Sequence, residues 1–319
     1  MRSREDSGID VVTLGECMVL LTPPAGQSLV GADSLLVDAA GAESTVALYL
    51  ANLGHRVAWV SRVGSDPFGD RIARRMQSAD VDVRYLVRDP TSPTGVFFKD
   101  PGRGMSSRVH YYRLNSAASH LSPGDLVRVP IESSRAVHVS GITPALSRSA
   151  AEATDVLLQR ACGAGVLRSF DVNYRPALWP TTAAAPILSG YAQHSDLVFV
   201  GRDEASTLWG TTDAQSIRAL LGNAHELVVK DGGVGATVFP NGSGEGVFVS
   251  ATATDVLEPV GAGDAFAAGY LAGWLGGEPL EVRTRLAHQV AALSLGSMLD
   301  HVDASGMRPG LANSLGKQR

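Results

Sequence analysis

Residues 57–78 read VAWVSRVGSDPFGDRIARRMQS and show the strand-then-helix pattern that recurs along the chain. Residues 57–63 form a short apolar run without alternation, which is typical of a strand covered on both faces. Residues 68–78 follow with a helical pattern. Repetition of this unit predicts a mostly parallel sheet with helices on both of its faces.

The alternation extends in both directions from this unit. Short apolar runs predict further strands at residues 9–14, 136–140, 166–172, 197–200 and 227–230, and helical patterns lie at 44–53, 147–162, 203–209 and 214–221. We expect a single domain over residues 9–311, with disordered tails at 1–8 and 312–319.

Two stretches interrupt the alternation. Residues 18–37 are extended and loop-rich, and residues 95–116 indicate a hairpin whose turn is DPGRG at 100–104. A hairpin inserted in an α/β frame is suited to cover a ligand site. We therefore predict a small β lid formed by about residues 17–38 and 94–116, with a plain edge hairpin as the alternative.

The composition narrows the class of protein. Of 319 residues, 45% are hydrophobic and 18% are charged, which excludes a mainly disordered chain. The net charge of −5 comes without a basic stripe, so no nucleic-acid partner is expected. The longest apolar stretch, 265–275, is shorter than the roughly 20 residues that span a bilayer, so no membrane is expected either.

Two cysteines, Cys17 and Cys162, build no disulfide framework, and we expect a cytoplasmic protein.

The strongest local signal is EPVGAGDAFAAGY at residues 258–270. Its glycines predict a small-residue turn at 261–263 that leads into a helix beginning at Asp264. The free backbone N–H groups at such a helix start form an anion site, and glycine lets a phosphate approach closely. An ordinary N-cap is the alternative for Asp264. A dinucleotide fingerprint would need glycine where Phe266 stands, and the chain has no Walker sequence GK[ST].

These residues resemble a known family. Gly261-Ala262-Gly263-Asp264 followed by Ala-Phe resembles the second signature of the PfkB, or ribokinase-like, carbohydrate kinases. GAESTVA at 41–47 and RVGSDPFG at 62–69 resemble the first signature region. The resemblance implies an α/β fold, namely a ribokinase-like three-layer α/β/α sandwich with a mostly parallel central sheet and a small β lid.

Within that family, three stretches are similar to 2-keto-3-deoxygluconate kinases. They are VHYYR at 109–113 with SAAS at 116–119, SGITPAL at 140–146, and DVNYR at 171–175 with Leu178-Trp179. The resemblance implies substrate contacts from Gly41, Phe97, Tyr111, Arg113 and Arg175. An arginine fork matches a carboxylate in two parallel hydrogen bonds, which neutral sugars cannot use. The alternative for either arginine is a surface or interface ion pair.

The resemblance also implies a reaction, in which ATP donates its γ-phosphoryl group to the 6-hydroxyl of 2-keto-3-deoxygluconate. The backbone N–H groups of Gly261, Ala262 and Gly263 would stabilise the migrating group. Asp264 would accept the hydroxyl proton, and we expect the positive end of its helix to keep it ionised at neutral pH. The enzyme would be a phosphotransferase with an alcohol acceptor.

The nucleotide side follows from the same resemblance. Lys230, Gly232, Gly233 and Gly235 would lie near ATP, and Mg²⁺ would bridge the phosphates. Glu204 resembles the glutamate of an Asn-x-x-Glu motif that acts through metal, although glycine replaces the asparagine at 201 and Asp203 could share the role. Both acids could simply favour the first turn of a helix. Thr45 and residues 258–259 depart from the family's usual pattern, so the resemblance leaves K⁺ dependence open.

Two other functions remain possible at this point. One is a fructokinase- or ribokinase-like kinase of a neutral sugar, which would not need Arg113 and Arg175 near the acceptor. The other is a non-catalytic sugar-binding regulator of the same fold. By analogy with the family, we expect a homo-oligomer formed through the lid. The sequence does not decide between gluconate and galactonate epimers of the acceptor.

Overall fold

A computed structural model describes residues 8–24, 26–100, 108–222, 224–241, 243–254, 256, 260–297 and 301–307. The predicted tails, except for Gly8, lie outside these residues. The predicted hairpin turn beyond Asp100 and the departures at 258–259 lie outside them too.

The elements alternate along the described chain much as the sequence predicts. The strands are β1 Val11–Leu14, β2 Met18–Thr22, β3 Leu36–Ala40, β4 Val57–Gly64, β5 Leu86–Asp89, β6 Val96–Asp100, β7 Arg108–Tyr112, β8 Ala136–Ser140, β9 Leu167–Asp171, β10 Leu197–Gly201, β11 Glu226–Asp231, β12 Gly235–Phe239 and β13 Val247–Ser250. The helices are α1 Ala42–Asn52, α2 Pro67–Ser78, α3 Ile142–Leu146, α4 Arg148–Gly163, α5 Thr181–Gln193, α6 Arg202–Trp209, α7 Ala214–Leu220, α8 Ala262–Leu275 and α9 Leu280–Leu295.

The large sheet is mostly parallel. Its order is β13-β12-β11-β10-β9-β8-β1-β4-β5, and among its described strands only the pairings of β12 with β11 and with β13 are antiparallel. The chain moves from β1 outward to β4 and β5 on one side, and later from β8 outward to β11 on the other. The strand order therefore reverses between β1 and β8, which is the place where open α/β sheets bind ligands.

Both faces of this sheet are apolar, which explains the unalternating runs in the sequence. On β4, Trp59 and Val63 belong to one buried cluster, together with side chains of α1, α2, α8 and α9. Ala58 and Val60, which point the opposite way, belong to a second cluster with side chains of α4, α5, α6 and α7. The result is a three-layer sandwich, as predicted.

A small second sheet forms the lid. Its order is β3-β2-β6-β7, and Met18, Leu20, Ala40 and Phe97 form a buried cluster of its own. In the described residues, the chain crosses between lid and large sheet four times, at residues 15–17, 41, 94–95 and 113–116. The predicted fold class is thus confirmed.

Some elements differ from the prediction. Helix α5 was not predicted because Pro186 lies in its interior, where proline removes a hydrogen-bond donor. Helix α8 begins at Ala262, two residues before the predicted start, because Gly261 supplies the turn alone. No helix in the described part of the chain combines the length and hydropathy needed to cross a membrane.

Candidate active site

A cavity of about 560 Å³ lies between the lid and the carboxyl ends of the parallel strands, beside the reversal of strand order. Most of the predicted site residues line this cavity. They are Gly41, Phe97, Tyr111, Arg113, Arg175, Glu204, Lys230, Gly232, Gly261, Gly263 and Asp264. Three predicted residues do not line it. Ala262 lies within the first turn of α8, Gly233 lies in an exposed turn, and Gly235 begins β12, where it packs closely against Phe248.

The start of helix α8 forms the floor of the nucleotide side. Gly261 is its N-cap and has a φ of 87°, a left-handed conformation that glycine adopts without a steric penalty. The helix then begins at once, so its first N–H groups have no partners within the helix. Asp264 is the third helical residue and faces the cavity with Gly263. This turn places a carboxyl group directly beside an anion site.

The surroundings of Asp264 set its charge. Nδ2 of Asn173 donates a hydrogen bond to its Oδ1 at 3.0 Å. Burial, reinforced by the charge of Asp171, raises the pKa of Asp264 to about 7, although Arg175 and Lys230 act in the opposite direction. The expectation that the helix start keeps Asp264 fully ionised at neutral pH is therefore wrong. A carboxyl group with this pKa is matched to a base working near neutral pH.

Lys230, at the end of β11, connects the charged groups of the cavity. Its Nζ donates to Oδ2 of Asp171 at 2.7 Å, and a Cβ added at Gly263 would lie 3.5 Å from the same Nζ. Burial alone would lower the pKa of Lys230, but the charges of Asp171 and Glu204 outweigh it and the pKa is raised. A charged ammonium group therefore lies next to the start of α8.

Glu204 lies in the first turn of α6 and is held by backbone donors. Its Oε2 accepts from the N–H of Gly201 at 2.8 Å and its Oε1 from that of Tyr174 at 3.1 Å. Burial raises its pKa, and the nearby Lys230 only partly offsets this. Asp203 is exposed and also lines the cavity. The contact with Gly201, the N-cap of α6, agrees with the helix-turn interpretation of Glu204, whereas the contact with Tyr174 ties Glu204 to the segment that follows β9.

Two carboxyl groups at the cavity bear on the binding of Mg²⁺. Among the described residues, no group of three or more His, Cys, Asp or Glu side chains could hold a metal ion. Mg²⁺ in kinases commonly takes one or two carboxylates, several waters and the substrate phosphates. Glu204 lines the cavity, and Asp171 is buried behind it with an Oδ1 that has no hydrogen-bond partner among the described residues, so the two fit that smaller set. The site suits a magnesium ion that arrives with the nucleotide.

The lid forms one wall of the cavity. The ring centroids of Phe97 and Tyr111, on neighbouring strands, lie 5.7 Å apart, and both residues line the cavity. Gly41 directly follows the lid strand β3, and a Cβ there would collide with the carbonyl of Glu16. Only glycine therefore lets the chain pass this close to Glu16 at a position that lines the cavity.

The two arginines line the same cavity and differ in solvent exposure and in the groups that they contact. Arg113 follows β7 and forms an ion pair with Glu16, and its side chain is only 9% exposed. Arg175 is 40% exposed, and its Nη1 contacts the carbonyl of Tyr174 at 3.2 Å and Oε1 of Glu204 at 3.8 Å. The structure therefore brings both predicted arginines to the acceptor side and gives Arg113 a buried counter-charge.

Sequence reasoning assigned no role to three residues at this site, namely Glu16, Asp171 and Asn173. Asp171 ends β9, and Glu16 follows the end of β1 by two positions. Polar residues at the carboxyl ends of parallel strands meet at one edge of the sheet, which is the signal that could have identified them. Asn173 also has a φ of 37°, unusual for a residue other than glycine.

The geometry agrees with comparisons to known proteins. The sequence matches the pfkB family of carbohydrate kinases over residues 9–302. It is 34% identical to 2-dehydro-3-deoxygluconokinase of Bacillus subtilis over 98% of this chain and 97% of that protein. It is also 34% identical to 2-dehydro-3-deoxygalactonokinase of Haloferax volcanii over 90% of each. The crystal structure of 2-dehydro-3-deoxygluconokinase from Thermotoga maritima matches with a TM-score of 0.84 and 26% identity, covering 93% of this chain and 95% of that one.

Proposed function

The chain belongs to the pfkB family of carbohydrate kinases, and on that premise we propose that it transfers the γ-phosphoryl group of ATP to the 6-hydroxyl of 2-keto-3-deoxygluconate. This acceptor is the 2-dehydro-3-deoxygluconate for which two of its relatives are named. The observation that carries the proposal is the presence of Asp264, the start of α8 and two arginines in one cavity.

The residues divide the reaction between them. Asp264 accepts the proton of the attacking hydroxyl, and the amide of Asn173 holds the carboxyl group in place. The backbone N–H groups at residues 261–263 and the ammonium group of Lys230 face the negative charge of the migrating phosphoryl group. These groups are fixed before the substrates arrive, so little reorganisation is needed during the reaction.

Mg²⁺, when bound with ATP, neutralises charge on the phosphate oxygens. Glu204 and Asp171 are the carboxylates that would hold it or its waters. Gly232 lies on the same side of the cavity, in the turn that follows β11. Gly233 and Gly235 would then act at a distance from the phosphates, by shaping that turn.

The acceptor binds under the lid in this proposal. Tyr111 and Phe97 provide an apolar wall for its carbon chain, and Gly41 presents its backbone. Arg113 and Arg175 provide hydrogen-bond donors to its oxygens. A neutral sugar would offer no carboxylate to the exposed guanidinium group of Arg175.

The experiment that tests the proposal is a panel of acceptors with ATP and Mg²⁺, followed by ADP release. The acceptors are 2-keto-3-deoxygluconate, 2-keto-3-deoxygalactonate, fructose and ribose. We expect turnover with one or both acids and at least about tenfold lower kcat/KM with the neutral sugars. The Asp264→Asn variant should lower kcat by about 100- to 10,000-fold and change the acceptor KM little.

The alternatives predict different results. A neutral-sugar kinase would turn over fructose or ribose faster than either acid. A non-catalytic regulator would bind an acceptor in calorimetry and release no ADP. A kcat near that of the wild type in the Asp264→Asn variant would remove Asp264 from the role of base.

We further infer that the protein is a homo-oligomer joined through the lid and that it acts in the cytoplasm. Large apolar side chains are exposed on or beside the lid strands, among them Leu36, Val37, Tyr112 and Leu114. Such exposed apolar surface favours association. Neither cysteine forms a disulfide among the described residues, which supports a reducing compartment where ATP is also present.

A further inference from the structure

Glu16 lies where the chain crosses from the large sheet to the lid, and it touches the other three crossings as well. Its Oε1 accepts from Oγ of Ser116 at 2.6 Å, and its Oε2 pairs with Arg113. Its backbone carbonyl lies against Gly41, and a Cβ at Gly95 would come within 2.7 Å of Oε1. The backbone and side chain of Glu16 together therefore lie against every chain segment that connects lid and core in the described residues.

The ion pair between Glu16 and Arg113 is buried, with side-chain exposures of 1% and 9%. The net charge of the pair is close to zero. An anion that approaches Arg113 also approaches the carboxylate of Glu16, and little water is present to screen that repulsion. Arg113 is therefore a poor partner for a substrate carboxylate.

Arg113 still has hydrogen-bond donors to offer. A guanidinium group carries five N–H bonds, and the buried Nε of Arg113 has no acceptor among the described residues. The lid ring of Tyr111 lies beside it, 5.7 Å from the guanidinium carbon. A donor-rich but electrically balanced wall suits a keto or hydroxyl oxygen.

Arg175 has the opposite character. It is 40% exposed at the cavity, and the nearest carboxylate oxygen, on Glu204, is 3.8 Å away. Glu204 directs both of its oxygens to backbone N–H groups, of Gly201 and Tyr174. Nη1 of Arg175 donates to the carbonyl of Tyr174 at 3.2 Å, so the Nε and Nη2 edge of its guanidinium group is the fork available for two parallel hydrogen bonds to an incoming carboxylate.

We propose that Glu16 is a specificity-determining residue. By neutralising Arg113, it makes the lid side of the cavity bind the uncharged oxygens of the acceptor, and it leaves the acceptor's carboxylate to Arg175. This inference rests on the proposed function, and it divides between the two arginines a task that the sequence assigns to both.

The test compares two acceptors that differ only at C1. One is 2-keto-3-deoxygluconate, and the other is 3-deoxyfructose, in which a hydroxymethyl group replaces the carboxylate. The kcat/KM for each acceptor is measured in the wild type, in the single variants Glu16→Gln and Arg175→Met, and in the double variant Glu16→Gln/Arg113→Met. The ratio of the two values within one preparation cancels any difference in the fraction of folded enzyme.

We expect the wild type to prefer the acid. Arg175→Met should lower the acid-to-neutral ratio by about 10- to 100-fold, because a charge-assisted bidentate contact is lost. The double variant Glu16→Gln/Arg113→Met removes both charges of the pair, so it should reduce both kcat/KM values and keep the ratio within about threefold of the wild type. Glu16→Gln should raise the ratio by roughly tenfold, because it leaves the positive charge of Arg113 unbalanced.

Ser116→Ala is the matched control for Glu16. It removes the hydrogen bond to Glu16 but keeps both charges, so the ratio should stay at the wild-type value. A collapse of the ratio in the double variant Glu16→Gln/Arg113→Met, or an unchanged ratio in Glu16→Gln, would overturn the inference and leave the proposed function standing. A wild-type enzyme that accepts 3-deoxyfructose and not the acid would instead refute the proposed function, and this inference with it.

Discussion

Asp264 and Asp171 lie in one buried group of charges, and each affects the other. The negative charge of Asp171 raises the pKa of Asp264, while Lys230, which pairs with Asp171, lowers it. A base must be deprotonated to act, so kcat should rise as the pH passes through about 7. The pH profile of the enzyme therefore reports on this pair of carboxyl groups.

Replacement of Asp171 tests that coupling. Asp171→Asn removes one negative charge and releases the positive charge of Lys230, and both changes lower the pKa of Asp264. We expect the midpoint of the acidic limb of kcat to move down by about one pH unit. The measurement is kcat from pH 5 to pH 9 at saturating substrates.

Asp231→Asn is the control for this prediction. Asp231 also lines the cavity, but it pairs with Arg202 at 2.7 Å and is not among the charges that shift the pKa of Asp264. The midpoint of the acidic limb of kcat in the Asp231→Asn variant should match that of the wild type. Equal midpoints in both variants would show that Asp171 does not set the protonation of Asp264.

At this scale, the sequence predicts residues that act as a contiguous motif. Gly261, Gly263 and Asp264 are neighbours along the chain, so their turn and helix start can be read from local rules. Asp171 and Glu16 act through partners 59 and 97 positions away, Lys230 and Arg113. Such partners are defined by the packing of strands, which local patterns do not contain. The assignment of site residues stays a prediction until variants are measured.

Among the elements, helix α8 is the one that carries the catalytic turn, and it is buried along most of its length. Its closest neighbour is α9. A Cβ added at Gly269 would lie 2.8 Å from Cα of Ala287 and 3.0 Å from the carbonyl of Leu286. The glycine is therefore needed for the two helix backbones to approach one another.

Gly269→Ala should lower the free energy of unfolding by about 1–3 kcal/mol, because overpacking outweighs the better helix propensity of alanine. Gly190→Ala is the matched control, since a Cβ at this position in α5 meets no atom within 4 Å. It should raise the free energy of unfolding by about 0.5–1 kcal/mol. Urea unfolding followed by circular dichroism measures both, and changes of the same sign would contradict the packing argument.

The same scale shows which elements the sequence can predict. Strands β4, β8 and β10 are apolar runs buried on both faces, so composition alone indicates them. Helix α5 combines a helical length with Pro186, and strands β12 and β13 are short antiparallel additions at the sheet edge. Tertiary packing determines these elements, and no local signal in the sequence outweighs Pro186 or Gly235.

For the whole molecule, the exposed apolar surface of the lid is the feature that bears on assembly. Tyr112 is 68% exposed and Leu114 is 90% exposed. Because successive side chains of a strand alternate, Tyr112 points away from the cavity that Tyr111 lines. This outer side of the lid is where we expect a second copy of the chain to bind.

Light scattering after size-exclusion chromatography tests this expectation. The wild type should elute as an oligomer, and Tyr112→Asp should shift it toward the monomer by burying a charge in the contact. Phe248→Asp is the control, because Phe248 is 52% exposed on β13, in the large sheet rather than the lid. A wild-type monomer, or an equal shift in both variants, would rule out association through the lid.

In the proposed mechanism the two sheets divide the enzyme's work, and this division has an evolutionary consequence. Phe97, Tyr111 and Arg113 come from the lid, whereas Arg175, Asp264 and Lys230 come from the large sheet and the segments that follow its strands. Substitutions can therefore accumulate in the lid and alter the contacts with the sugar's uncharged oxygens while the ancestral phosphate chemistry persists unchanged. One scaffold can in this way diversify into kinases for many carbohydrates.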